Sequence, residues 1–160
     1  MDRVNKICSH QLWQKAAAEI KELEKDRIFC GHDVAHFLDV ARLAYIENLE
    51  KGLGFDRELI YGAALLHDIG RGLEYTQNIP HDQGSRLLAG KILPDCGYTK
   101  EEQSAILKAI SSHRTADTVT RDDLAGLLYR ADKKSRACLF CQVQAECKWS
   151  TEKKNLTIEV

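Results

Sequence analysis

Apolar residues recur at three- and four-residue intervals along nearly the whole chain, and strand-type alternation is almost absent. The 160 residues must therefore bury their apolar surface by packing helix on helix. Only two prolines interrupt the pattern, and no low-complexity linker or repeat divides it. The length suits one compact domain around a single core. We expect an all-α, single-domain bundle of about six helices.

The stripe Leu12, Ala16, Ile20 and Leu23 places a first helix over about residues 4–25. A second starts at an Asp33 N-cap and sets His36, Val40, Leu43 and Ile46 or Glu47 at helical spacing before GLGF stops it. The third runs from about Asp56 through ELIYGAALLHD and stops at Gly70 and Gly72; it is apolar on most sides and therefore central. After a loop, RGLEYTQNIP, a fourth helix begins near His81 and ends before Pro94. Thr99 with Glu102 forms a capping box for a fifth through about Ser112, with His113 at its end. Thr120 with Asp123 opens a sixth, whose face Leu124, Leu128, Ala131, Asp132 and Ser135 carries one acid among apolar positions. KWSTEKKNLTIEV reads as a tail or a short strand. Residues 1–29 then form an N-terminal helix on the core, 30–137 the core, and 138–160 a cysteine-containing extension of the same domain.

A formal net charge of −1 supplies no broad basic field for polymeric nucleic acid or an anionic membrane, so any affinity for an anion must be local. The N-terminus lacks the apolar core of a signal peptide, and no stretch approaches the length of a membrane span; a cytoplasmic location is the expectation. Six cysteines in that compartment read as reduced thiols or metal ligands rather than a disulfide framework. Cys138, Cys141 and Cys147 offer one CxxC step and a third thiol, with Cys8, Cys30 or Cys96 as a fourth ligand in a metal or iron–sulfur reading. Without a second CxxC, packed thiols are the preferred reading.

The apolar run AALLHDIGRG ends by carrying His67 and Asp68 towards the core, where an unpaired charge is costly. A hydrogen-bond network or a metal ion would compensate it. Along the chain stand His36, His67 with Asp68, His81, His113 and Asp132, each from a different helix or helix end apart from the adjacent pair. Bundles build metal sites from inward-pointing side chains on facing helices. Four imidazoles and two carboxylates can hold two divalent ions, with Asp68, which has two oxygens, as the natural bridge. The mixed nitrogen and oxygen set suits iron, manganese, cobalt or nickel more readily than magnesium alone. Arg71, Arg114, Lys133 and Arg136 stand close to these residues in sequence, and Arg71 and Arg136 are the favoured phosphate contacts. His10 and His32 have no such support; for His32, surface exposure is the expected state.

This order resembles the HD superfamily of metal-dependent phosphohydrolases, whose motif is a histidine, a His-Asp doublet and a distant aspartate on an all-helical core. The match lies in HDVAHFLDVARLA, LLHDIGRG, HDQGSRLLAGKIL, AISSHR and LLYRADKKSR, over roughly residues 30–137. It implies that His36, His67, Asp68 and Asp132 are the core ligands, that His81 and His113 are the extra histidines of two-metal members, and that a two-metal-activated hydroxide attacks a small phosphate ester or nucleotide. The block spacing, with Gly84 after His81, is also similar to the bacterial HD hydrolases that split diadenosine tetraphosphate, although KKSRACLFC after Asp132 departs from their pattern. Di-iron oxygenases of the same superfamily share the ligand pattern, and a non-catalytic nucleotide-binding regulatory module is the third alternative. Oligomeric state is not legible in the sequence.

Overall fold

A computed structural model describes residues 1–158. Its helices are α1 (Asp2–Ser9), α2 (Gln11–Leu23), α3 (Val34–Glu50), α4 (Arg57–Leu66), α5 (Arg71–Gln77), α6 (His81–Asp95), α7 (Lys100–Ser112) and α8 (Leu124–Lys134). Short 3-10 turns follow α7 and run through the C-terminal stretch, and among the described residues there is no strand. The bundle is all-α, as expected. No helix of the described residues is long and apolar enough to cross a membrane.

α4 is the hub, in contact with α1, α3, α6, α7 and α8. Its run Ala63, Ala64, Leu65 and Leu66 is wholly buried, which is why the sequence is apolar on most sides there. α3 packs on it with Phe37, Val40, Ala41 and Ala44, while Ile92 and Leu93 of α6, Ile106 and Ile110 of α7, and Leu127 and Leu128 of α8 complete the core. Trp13 of α2 donates its indole N–H to the carbonyl of Leu65 at 2.9 Å. That bond satisfies a carbonyl in the last turn of α4 and ties the N-terminal helices to the element that carries the His-Asp doublet.

Local capping explains most boundaries. Asp33 accepts from the His36 N–H and starts α3; Thr99 and Glu102 form the expected capping box; Asp123 accepts from the Gly126 N–H and starts α8. Thr120 does not take part and belongs to the preceding 3-10 turn, Ala116–Thr120. The first helix is broken in two: His10 is extended, and its Nδ1 accepts from the Leu12 N–H as the N-cap of α2. The segment RGLEYTQ, expected as a loop, is helix α5, and α4 already ends at Leu66. Gly70 is there for close approach. A Cβ on it would stand 2.1 Å from the Ser85 backbone nitrogen, and its N–H is held by the Ser85 hydroxyl at 2.9 Å. α6 continues through Pro94 to Asp95, one residue beyond the proline expected to lie outside it.

Candidate metal centre

Two helix ends place two of the imidazoles. At the C-terminus of α4, His67 Nδ1 lies 2.7 Å from the carbonyl oxygen of Ala64, and at the end of α7, His113 Nδ1 lies 2.5 Å from that of Ile110. A carbonyl only accepts, so Nδ1 carries a proton in both rings and Nε2 is the nitrogen left to face the centre. Each histidine thus closes one of the open carbonyls of its helix and turns its other nitrogen inward. His81, the first residue of α6, directs Nδ1 at Glu74 Oε2, 2.9 Å away. His36 of α3 directs Nδ1 at the Ser135 hydroxyl at 3.2 Å; that hydroxyl itself donates to the Asp132 carbonyl at 2.8 Å and so accepts from the ring. All four rings present Nε2 to one place.

That place is Asp68. Its Oδ2 lies 3.6 Å from His67 Nε2 and 4.0 Å from His36 Nε2, while Oδ1 lies 3.4 Å from His81 Nε2 and 3.5 Å from His113 Nε2. Asp132, from the opposite wall, sets Oδ1 3.6 Å from His36 Nε2 and 3.8 Å from His67 Nε2. Two groups result whose ligand atoms lie within 4.8 Å of one another: His36, His67, Asp68 and Asp132 in the first cluster, and Asp68, His81 and His113 in the second. Asp68 is common to both, one oxygen to each. His67 and Asp68 follow α4 rather than continuing it, so the chain can turn both side chains into the centre.

The residues fit divalent metal. His36 Nε2, His67 Nε2 and Asp68 Oδ1 are buried without any hydrogen-bond partner, a state that polar atoms in a core rarely hold. The nitrogen and carboxylate donors, with Nδ1 of each ring fixed by a carbonyl, carboxylate or hydroxyl, are the ligand set and the supporting contacts that metal-binding imidazoles require. Burial lowers His36 to about 3, with the charge of His67 adding to it, and lowers His81 to about 4; both rings are therefore neutral near pH 7 and available as ligands. Burial opposes ionisation of Asp68 and Asp132 as well, but for Asp68 the neighbouring His67, His113 and Arg71, and for Asp132 His67, Lys133 and Arg136, hold the carboxyls well below the usual carboxylate range. Burial works against a charged His67 too, and Asp68 and Asp132 outweigh it, raising its pKa.

The basic residues divide. Arg71 reaches Asp68 Oδ2 at 3.3 Å and Glu74 at 3.2 Å; Arg136 reaches Asp132 Oδ1 at 3.2 Å and lies over the Trp149 ring; Lys133 holds Asp132 Oδ2 at 2.6 Å. Arg114 instead pairs with Asp82 at 3.2 Å on the surface. Arg71 Nε and Arg136 Nε are buried donors without acceptors. His36 and Arg136 also form part of the wall of a cavity of about 610 Å³, with Phe29, Cys30, Cys141 and Val143 around it. The extension brings no thiol cluster: among the described residues no candidate metal group contains a cysteine, and Cys138 is buried as a packed side chain.

His32 corrects the sequence reading. It is 2 % exposed rather than on the surface, with Nδ1 2.6 Å from Glu24 Oε1 and Nε2 3.6 Å from Asp68 Oδ2. The signal was HDVAH, in which His32 stands one helical turn before His36. Glu74 was also missed, since it lies in the helix read as a loop.

The fold and the site together define an all-helical protein with a buried centre of imidazoles and carboxylates suited to divalent metal. The sequence model of the HD domain matches residues 33–137, and the chain belongs to the HD domain family. It is 44 % identical over 158 residues, 99 % of each chain, to an uncharacterized protein of Clostridium beijerinckii. The crystal structure of a predicted HD superfamily hydrolase from an uncultured Thermotogales bacterium shares the fold with a TM-score of 0.66 at 23 % identity, covering 91 % of this chain and 80 % of that one.

Proposed function

We propose that the protein is a metal-dependent phosphohydrolase that cleaves a small phosphate ester or nucleotide, with two divalent ions held by His36, His67, Asp68 and Asp132 and by Asp68, His81 and His113. The carrying observation is the pair of clusters sharing Asp68, in which His36 Nε2, His67 Nε2 and Asp68 Oδ1 are buried without a hydrogen-bond partner. The structural neighbour described as a predicted HD superfamily hydrolase supports the same reaction class. When bound, such ions supply Lewis acidity and activate water near neutral pH. The protein's own part is to fix the imidazole tautomers, keep both carboxylates ionised and present Arg71 Nε and Arg136 Nε to non-bridging oxygens. The cavity beside His36 and Arg136 is of a size for the organic part of a small substrate. Near-neutral net charge argues against a polymeric nucleic acid. Iron, manganese, cobalt or nickel fits the donor set, and a cytoplasmic setting fits the free cysteines.

Protein purified without oxygen, analysed for metal and then assayed against phosphorylated substrates and for oxygen uptake, tests the reading. Two ions per chain with release of inorganic phosphate is the expected result. Oxygen consumption with no phosphate release would assign an oxygenase, and metal-loaded protein inert in both assays would assign a binding module.

A further inference from the structure

Glu24 and His32 form a second buried ionic pair against the centre, one that neither cluster includes. The link between α2 and α3 folds over the Glu24 carboxylate: Oε2 accepts the His32 backbone N–H at 2.7 Å, and Oε1 accepts both the Tyr75 hydroxyl of α5 at 2.5 Å and His32 Nδ1 at 2.6 Å. Burial opposes the charge on Glu24, but its bonds to His32 and Tyr75 bring its pKa down to about 2, so the carboxylate is an acceptor and His32 Nδ1 is the donor. Nε2 is then the ring's one uncommitted polar atom. It faces Asp68 Oδ2 at 3.6 Å, too far for a hydrogen bond. His32 stands edge-on to His36, with ring centroids 5.6 Å apart, yet its Nε2 joins neither group of mutually close ligand atoms. A purely structural histidine would satisfy both nitrogens in the core. Three contacts on one carboxylate are spent here on fixing a ring whose other nitrogen looks into the site.

We propose that His32 is a substrate-contacting residue, donating Nε2–H to a phosphoryl oxygen beside the first cluster while Nδ1–H stays on the Glu24 carboxylate, and that Glu24 is its positioning residue. This rests on the phosphohydrolase reading and assigns to it a contact outside the ligand set. The three anchors on Glu24 leave the ring little freedom to turn, so the contact is made without ordering a mobile side chain on binding.

The test is calorimetric titration of inorganic phosphate into manganese-loaded protein, with metal content measured on the same samples. His32→Ala should retain two ions and weaken phosphate binding about tenfold or more, the size of one hydrogen bond to a charged group. Glu24→Gln should weaken it less, again at unchanged metal content, a shift that a merely structural role for Glu24 would not produce. If His32→Ala fails to fold, His32→Phe, which fills the space without ring nitrogens, carries the same comparison. Unchanged phosphate affinity in the His32 variant overturns the proposal, and so does loss of an ion, which would make His32 a ligand. Loaded wild-type protein that binds no phosphate overturns the phosphohydrolase reading and this contact with it.

Discussion

The two clusters share Asp68 and differ in almost everything else. The first draws on α3, the end of α4 and α8, has four candidate ligands, and contains two imidazole nitrogens buried without partners. Around it stand Lys133 and Arg136, which hold Asp132 from outside. The second has three candidate ligands, and its supports are one carboxylate, Glu74, and one carbonyl, that of Ile110. A four-donor site set among α3, the end of α4 and α8 should hold its ion more tightly than a three-donor site between the end of α4, the start of α6 and the end of α7. If the proposed two-ion reading holds, occupancy should therefore be graded, with the first ion retained under conditions that release the second.

The largest test strikes what the clusters share. Asp68→Ala removes an oxygen from each, so both ions should be lost by elemental analysis and turnover should fall to the level of metal-stripped protein, with the helical circular dichroism kept. Two ions retained in this variant would end the shared-ligand account. Next in size, His67→Ala and His81→Ala separate the halves. His81→Ala should leave one ion per chain, and His67→Ala should weaken the tighter site, so that equal losses in the two variants would erase the asymmetry. Smaller again is Glu74→Gln, which removes the charge behind His81 and beside Arg71 but leaves every ligand in place. Affinity for the second ion should drop about 10- to 100-fold by chelator competition, while the first is unmoved.

Gly70→Ala probes how packing places the second cluster. A Cβ there would stand 2.1 Å from the Ser85 nitrogen and 2.4 Å from the Gly84 carbonyl carbon, both backbone atoms that cannot swing aside. Forcing α6 away should cost about 1–3 kcal/mol, read as a Tm lower by several degrees. It should also loosen the second ion before the first, because His81 rides on α6. An equal effect on both ions would mean that the halves move together.

These tests fall where the sequence was hard to read. Asp33, Thr99 with Glu102, and Asp123 announced their helices because capping is a local device written in neighbouring residues. His36 and Asp132 were legible because each interrupts an apolar face, and His67 with Asp68, His81 and His113 because they stand at helix ends; the structure gathers the six into two groups that share Asp68. What stayed hidden was long-range. Gly70 and Gly72 read as helix stops, yet they flank the start of α5 and serve close approach to Ser85 and Glu19. His10 is an unusual N-cap, so one amphipathic stripe concealed two helices. His32 lacks an apolar helix to mark it, and its burial depends on Glu24 eight residues earlier and on Tyr75 far along the chain.

The smallest predicted effect lies outside the centre and supplies the baseline for all the others. Arg3 binds Glu58 Oε2 and Glu102 at 2.8 Å each, joining α1 to α4 and α7, and its hydrogen bond is the leading cause that brings Glu58 down to about 2. A carboxyl lowered in the folded state gives stability that is fully present above its unfolded value, roughly 4.3, and is lost as pH falls from there through about 2. Chelated wild-type protein should therefore show a lower urea midpoint at pH 2.5 than at pH 6. Glu58→Gln should be somewhat less stable at pH 6 and lose less on acidification, because the titrating partner is gone. The same acid loss in both proteins would place the sensitivity in the other lowered carboxyls, Glu24, Asp68 and Asp132 among them, and acid release of the ions would then have to be separated from partial unfolding before it is read as a difference between the halves.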